Sequence, residues 1–309
     1  MLQRLLFGFL FMLFIPGCSS DDDIQKVTLR DTRFSLQYFD NVEKSFFQIY
    51  GNRSEDHWMH IFEPVDSGDL IRPLVILAPG GGFDPEQIDH SFDLLLPIAE
   101  KFAHDGFVAV VINYSTGLYE SGEDYRRIFM EASYDLKAAI RFFRHDAANE
   151  NAYRIHPDWI FMGGWSAGAK IGMYNAYVQS EDELIDLERS AIEKLSGFDG
   201  NSGNPGFSSE VKGIIAMAGN MNDLSRINAD DPPILCVSSD IDNTVNIESQ
   251  MSHFGIAYGS RPIIAQALSV GLDATLIELP NGFHTDPIKP HCTSCYENML
   301  NFVVRQLER

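Results

Sequence analysis

The chain has 309 residues, 45% of them hydrophobic and 22% charged, which is apolar sequence enough for one domain with a substantial core. Aromatic residues make up 12% of it and apolar runs recur along its length, which excludes a disordered chain. Against 23 Lys and Arg stand 44 Asp and Glu, and a formal charge of −21 argues against nucleic acid as a partner, because such a surface repels phosphate backbones.

The first element is a leader. After Arg4 comes an almost purely apolar run, Leu5 to Ile15. It is too short to span a bilayer as a helix, which takes about 20 residues, and it suits a signal-peptide h-region. Residues 1–17 are therefore expected to lie outside the fold. Ile15-Pro16-Gly17-Cys18 resembles the bacterial lipobox, with Pro16 where small or β-branched residues are usual. That resemblance implies lipidation of Cys18 and an anchor in a bacterial outer membrane, extending to the cell surface. Ser19-Ser20-Asp21-Asp22-Asp23 looks like the surface-export tether of Bacteroidetes lipoproteins, or is simply a solvated linker. Residues 18–40 are read as lipidated Cys and linker, 41–309 as one catalytic domain, and membrane contact is expected through the anchor alone.

From Phe46 the pattern is strand, turn, strand: Phe46 to Tyr50, then the alternating His57 to Phe62. The runs then become continuously apolar. Pro73 to Leu77, Phe107 to Ile112, Trp159 to Met162, Gly213 to Ala218, Ile234 to Val237 and Ala274 to Leu279 each read as a strand buried on both faces. Helical stretches intervene, around Phe92 to Asp105, Met130 to Ala147 and after Ser166. The expectation is an α/β fold with a mostly parallel central sheet, an antiparallel edge made by the opening strands, and helices on both faces. Residues 181–206 break the alternation, first as a polar amphipathic helix, then as a Gly/Asn/Ser-rich loop. They read as a small lid, a substrate-contacting loop or a plain excursion.

Gly164-Trp165-Ser166-Ala167-Gly168 fits G-x-S-x-G between an apolar strand and a helix-compatible run. Small residues flank such a serine because the turn is sharp, and the helix after it directs its N-terminus at developing negative charge. A serine hydroxyl needs a base. Of the nine histidines, His284 lies in a turn just after the last apolar strand, whereas His57 and His60 fall on an early edge strand. The loop after Val237 offers Asp240 and Asp242 as the acid that orients the imidazole. Asp242 is favoured, since D-x-x-V there resembles the acid loop of many esterases, and Asp240 is the alternative. Ala78-Pro79-Gly80-Gly81-Gly82-Phe83 resembles the HGGG oxyanion motif of lipases and esterases, with Pro79 where His is usual. By position, Gly81, Gly82 and Ala167 would donate backbone N–H groups to an oxyanion.

Taken in order, these motifs resemble an α/β-hydrolase from about Phe46 to the C-terminus, closest to carboxylesterases of the acetylxylan and feruloyl esterase kind. Ile112-Asn113-Tyr114 is similar to that family's INYR segment with Ser115 in place of Arg, and Asp135 to Phe143 to its D-x-x-A-A-x-R helix. The resemblance implies a serine esterase acting on small esters or acylated polysaccharide, with no cofactor. A peptidase or polyester hydrolase shares fold and triad, and a surface binding protein without catalysis is the reading from another class. Cys236 reads as an inert core thiol. Cys292 and Cys295 read as a local disulfide, with no metal, since a fourth ligand beside His291 is not evident.

Overall fold

The computed structural model describes residues 36–309 apart from Ser54, Ile185, Lys194, His253 and Phe254, so the leader, Cys18 and most of the tether lie outside the described residues. Among the described residues, ten strands and six α-helices follow in chain order. They are β1 Val42–Ile49, β2 Trp58–Pro64, β3 Arg72–Ala78, α1 Pro85–His104, β4 Val108–Ile112, α2 Gly122–Ala148, β5 Ile155–Trp165 and α3 Ala167–Tyr177. Next come α4 Asp186–Glu193, β6 Gly213–Met217, β7 Ile234–Ser239, β8 Ser249–Ser252, β9 Gly255–Tyr258, α5 Ser260–Ser269, β10 Ala274–Leu279 and α6 Thr293–Leu307.

Eight strands form one sheet in the order β1-β2-β4-β3-β5-β6-β7-β10, and β8 pairs with β9 as a separate hairpin. Both pairings of β2 are antiparallel and the other pairings of the large sheet are parallel. The antiparallel edge expected from the opening strands is therefore present. Every residue of β3, β4, β6 and β7 is buried, as continuous Val/Ile-rich runs require when helices cover both faces. Strand periodicity divides the core in two. Leu74 and Ile76 of β3 pack with residues of α2, α3 and α5, while Val75 and Leu77 between them pack with α1 and α6.

Both long helices begin earlier than their apolar periodicity suggested. The Asp84 carboxylate accepts the Glu86 N–H at 2.8 Å with Pro85 at the first helical position, and Ser121 caps α2 through the Asp124 N–H at 3.1 Å. Polar first turns carry no apolar signal, so capping chemistry alone marks these starts.

The 181–206 segment is a short 3-10 turn at Glu181–Glu183, then α4, then a loop held against α2. Arg141 donates to the carbonyls of Gly203 and Asp199 at 3.1 and 3.0 Å, and Lys137 to that of Phe198 at 3.3 Å. The loop is braced on the scaffold. At the other end of the chain Cys292 and Cys295 are joined as a disulfide, and Cys236 is a buried thiol whose pKa burial pushes up to about 12, which keeps it an inert core group.

Candidate active site

β5 ends at Trp165, and the chain turns through Ser166 directly into α3. The turn is strained: Ser166 has φ 55° and ψ −115°, a conformation that a non-glycine residue adopts at a cost of about 1–3 kcal/mol. Two glycines make it possible. A Cβ on Gly164 would overlap the Gly168 backbone, and one on Gly168 would overlap the Ala78 carbonyl. The same close approach brings the start of α3 against the Ala78–Phe83 loop.

Two further strand ends reach Ser166. His284, in the turn after β10, sets Nε2 3.0 Å from Ser166 Oγ, and its Nδ1 lies 2.7 Å from Asp242 Oδ2. Asp242, in the loop after β7, is buried, and its Oδ1 accepts the N–H groups of Thr244 and Val245 at 2.8 and 2.9 Å. Those bonds explain D-x-x-V in physical terms: the last residue supplies an amide that fixes the carboxylate. Asp240, the alternative acid, bonds through its backbone N–H to Leu279 and has no contact with His284 among the bonds found. Because a carboxylate only accepts, His284 carries its proton on Nδ1, and Nε2 is free to accept from the serine hydroxyl. The Trp165 indole N–H donates to the His284 carbonyl at 3.0 Å. Ser239 similarly donates to the Phe283 carbonyl at 2.8 Å.

The glycine loop lies on the opposite side of the serine. Gly81 and Gly82 take φ values of 105° and 63°, which glycine adopts readily, and Ala167 is the first residue of α3. Gly80 abuts Ser166, since a Cβ there would meet Ser166 Cβ at 3.1 Å. Pro79 contributes its carbonyl, which accepts the buried Tyr114 hydroxyl at 2.7 Å. Tyr114 thus anchors the loop, a role that its INY context did not disclose. Ile241 and Phe283, chain neighbours of Asp242 and His284, are exposed apolar side chains at the same end of the sheet.

One charged group was missed. Lys170 lies inside the apolar run of α3, is buried, and has its pKa pushed down by burial to about 7. Its ammonium sits 5.9 and 5.8 Å from the ring centres of Tyr125 and Phe129. A cavity of about 260 Å³ opens here, walled by Phe129, Tyr174 and Tyr177 besides Lys170. A lone lysine in an otherwise apolar helical stretch was the available signal. Among the described residues no cluster of His, Cys, Asp and Glu is arranged to hold a metal.

A model of the BD-FAE family, a family of esterases, matches residues 59–226. Solved structures share the fold. A truncated carbohydrate esterase from gut microbiota superposes with a TM-score of 0.62 at 22% identity, over 86% of this chain and 97% of its own. The bifunctional GH43-CE protein of Bacteroides eggerthii gives 0.64 at 18%, over 85% of this chain and 35% of its own length. Esterase 2 of Thermogutta terrifontis phosphorylated by paraoxon gives 0.60 at 19%, over 88% and 97%. No curated protein matches in sequence.

Proposed function

The chain belongs to the BD-FAE family and is a serine carboxylic ester hydrolase of α/β-hydrolase fold; we propose that Ser166, His284 and Asp242 are its catalytic triad and acylated glycans its substrates. The observation that carries this reading is the relay of 3.0 and 2.7 Å from Ser166 through His284 to Asp242, built on a strained turn at the sheet's C-terminal edge.

In this mechanism His284 Nε2 takes the serine proton as Oγ attacks the ester carbonyl carbon. Asp242 holds the imidazole in the accepting tautomer and stabilises the imidazolium. Backbone N–H groups of Gly81, Gly82 and Ala167 meet the oxyanion, each such donor being worth about 2.7–4 kcal/mol in the transition state. The tetrahedral intermediate expels the alcohol, which takes the proton back from His284. Water, deprotonated by the same nitrogen, then releases the acid from the acyl-enzyme. The acyl group is assigned as acetyl or feruloyl, a choice that agrees with relatives named as carbohydrate esterases.

Labelling of residues 19–309 by a fluorophosphonate tests the nucleophile, with Ser166→Ala as control. Labelling of the native protein alone, followed by turnover of acetylated or feruloylated xylan, is the expected result. A folded native protein that stays unlabelled would overturn the triad and favour a surface binding protein. Anchoring through Cys18 belongs to the same proposal, because a glycan polymer is met outside the cell. Radiolabelled palmitate should enter the expressed full chain and be lost in Cys18→Ala; equal labelling of both would exclude that anchor.

A further inference from the structure

The cavity beside Lys170 lies among α2, α3, α4 and the loop after β6, and neither the acid loop nor the base loop lines it. Helix geometry sets its relation to the nucleophile. The Lys170 N–H bonds the Ser166 carbonyl at 3.1 Å, so the two stand one turn apart on one face of α3. Tyr174 and Val178 continue the row at the same four-residue spacing, and all three residues after Ser166 line the cavity. At about 1.5 Å of rise per residue, the Lys170 Cα lies roughly 6 Å along the axis from Ser166. The wall that α3 gives the cavity therefore begins one turn from Ser166.

The charges around the cavity favour an anion. Glu188 and Asp223 both bond to Arg226, at 2.8 and 3.4 Å, while Lys170 and Arg126 add two more basic groups to the lining. Three basic side chains thus face two acidic ones, in a chain of formal charge −21. The aromatic walls supply apolar surface for the carbon skeleton of such a ligand, and they withhold water from the ammonium, which strengthens its pairing with a carboxylate.

We propose that this cavity is a subsite for a carboxylate carried by the ester substrate, with Lys170 as the side chain that selects it. The proposal rests on the esterase reading and names its substrate class: an ester bearing a free carboxylate a few bonds from the scissile carbonyl. That carboxylate belongs either to the acyl group, as in a dicarboxylic half-ester, or to the alcohol side, as in an acidic sugar.

A pH dependence follows. The titratable and charged groups around Lys170 are Tyr125 and Arg126 from α2, Tyr174 and Tyr177 from α3, Glu188 from α4, and Asp223 and Arg226 from the loop after β6. Burial raises all three tyrosines far above their ordinary range. Asp223, though burial opposes its charge, is held low by its bonds to Ser225 and by Arg226. Burial brings Lys170 itself to about 7, so its charge changes around neutrality. Below about pH 7 it is an ammonium and attracts the carboxylate; above, it is neutral and the attraction is lost.

The test uses ratios of kcat/KM, which cancel the titration of the shared catalytic groups. One arm compares mono-4-nitrophenyl adipate with 4-nitrophenyl hexanoate; the other compares 4-acetoxybenzoate with phenyl acetate. The native ratio of carboxylate to neutral ester should fall about tenfold between about pH 6 and pH 8.5 in one arm, which identifies the side that bears the charge. Lys170→Met and Lys170→Gln should each lower that ratio about tenfold at the acid end and flatten its profile. Ratios that are equal in the native protein and both variants, in both arms, overturn the proposal while leaving the esterase reading intact. If no ester turns over, the esterase reading fails instead, and calorimetry with adipate decides the subsite. Binding to the native protein that Lys170→Met abolishes upholds it, and no binding by either overturns it.

Discussion

Ser166→Ala should lower kcat for 4-nitrophenyl acetate by about 10⁴- to 10⁶-fold, and His284→Ala by as much, with the double variant no slower than either alone. The reason is geometric. Among the described residues the Ser166 hydroxyl meets His284 Nε2 at 3.0 Å, and in the proposed mechanism removing either end removes the same step. Residual hydrolysis should come from the backbone donors, which neither substitution touches. Asp242→Asn is the more discriminating variant, with an expected loss of about 10⁴-fold. The asparagine keeps an oxygen for the Thr244 and Val245 amides, because those bonds accept only an oxygen, and so turns its NH₂ toward His284 Nδ1. Nδ1 must then accept, which moves the ring proton to Nε2, the atom required to take the proton from Ser166. Steady-state kinetics beside circular dichroism check this. A folded Asp242→Asn within tenfold of native would give the acid role to another group.

The central elements were legible because each carries its signal in consecutive residues. Continuous apolar runs marked the buried strands, and G-x-S-x-G between strand and helix marked Ser166. His284 and Asp242 come together with it because both lie just past a strand end, where the fold gathers loops on one edge of the sheet. What was not legible depends on contacts across the chain. His57 was assigned to an edge strand, yet it is fully buried, since the residues that cover it come from Tyr50, α2 and the 201–203 loop. Lys170 stands inside an apolar run that reads as plain core. The β8–β9 hairpin has four-residue strands with mixed burial, too short for periodicity to reveal. The role of Tyr114 in holding Pro79 joins residues 35 positions apart, which no local pattern reports.

The largest stability effect is expected at Asp135, where four segments meet. Its buried carboxylate accepts the Ser115 N–H at 2.8 Å, the Ser115 hydroxyl, the Ser202 hydroxyl at 2.6 Å and His57 Nε2 at 2.8 Å. The His57 Nδ1 accepts the Arg53 N–H, which leaves the ring proton on Nε2, pointing at Asp135. Asp135→Asn sets an NH₂ against donors on one side of this node, and breaking a buried pair in this way costs about 3–5 kcal/mol. For a domain of this size that is a fall in Tm of about 10 °C. Burial alone would raise the Asp135 pKa; the hydrogen bond from His57, then those from the two serine hydroxyls, outweigh it and hold the group below its ordinary value. A carboxyl with a lowered folded pKa contributes its stability above its unfolded value of about 4 and loses it as pH falls through the folded one. Urea denaturation should therefore separate native and variant most at neutral pH, and the gap should narrow below about pH 4. A gap that is constant down to acid conditions would mean that the charge of Asp135 contributes nothing. The node also bears on catalysis, because Ser115 follows the Tyr114 that holds the glycine loop, and α2 carries the Tyr125 and Phe129 rings that pack on Phe83 of that loop. Loosening Asp135 should misalign the backbone donors before it disturbs the Ser166–His284 contact, so kcat should fall while fluorophosphonate labelling persists.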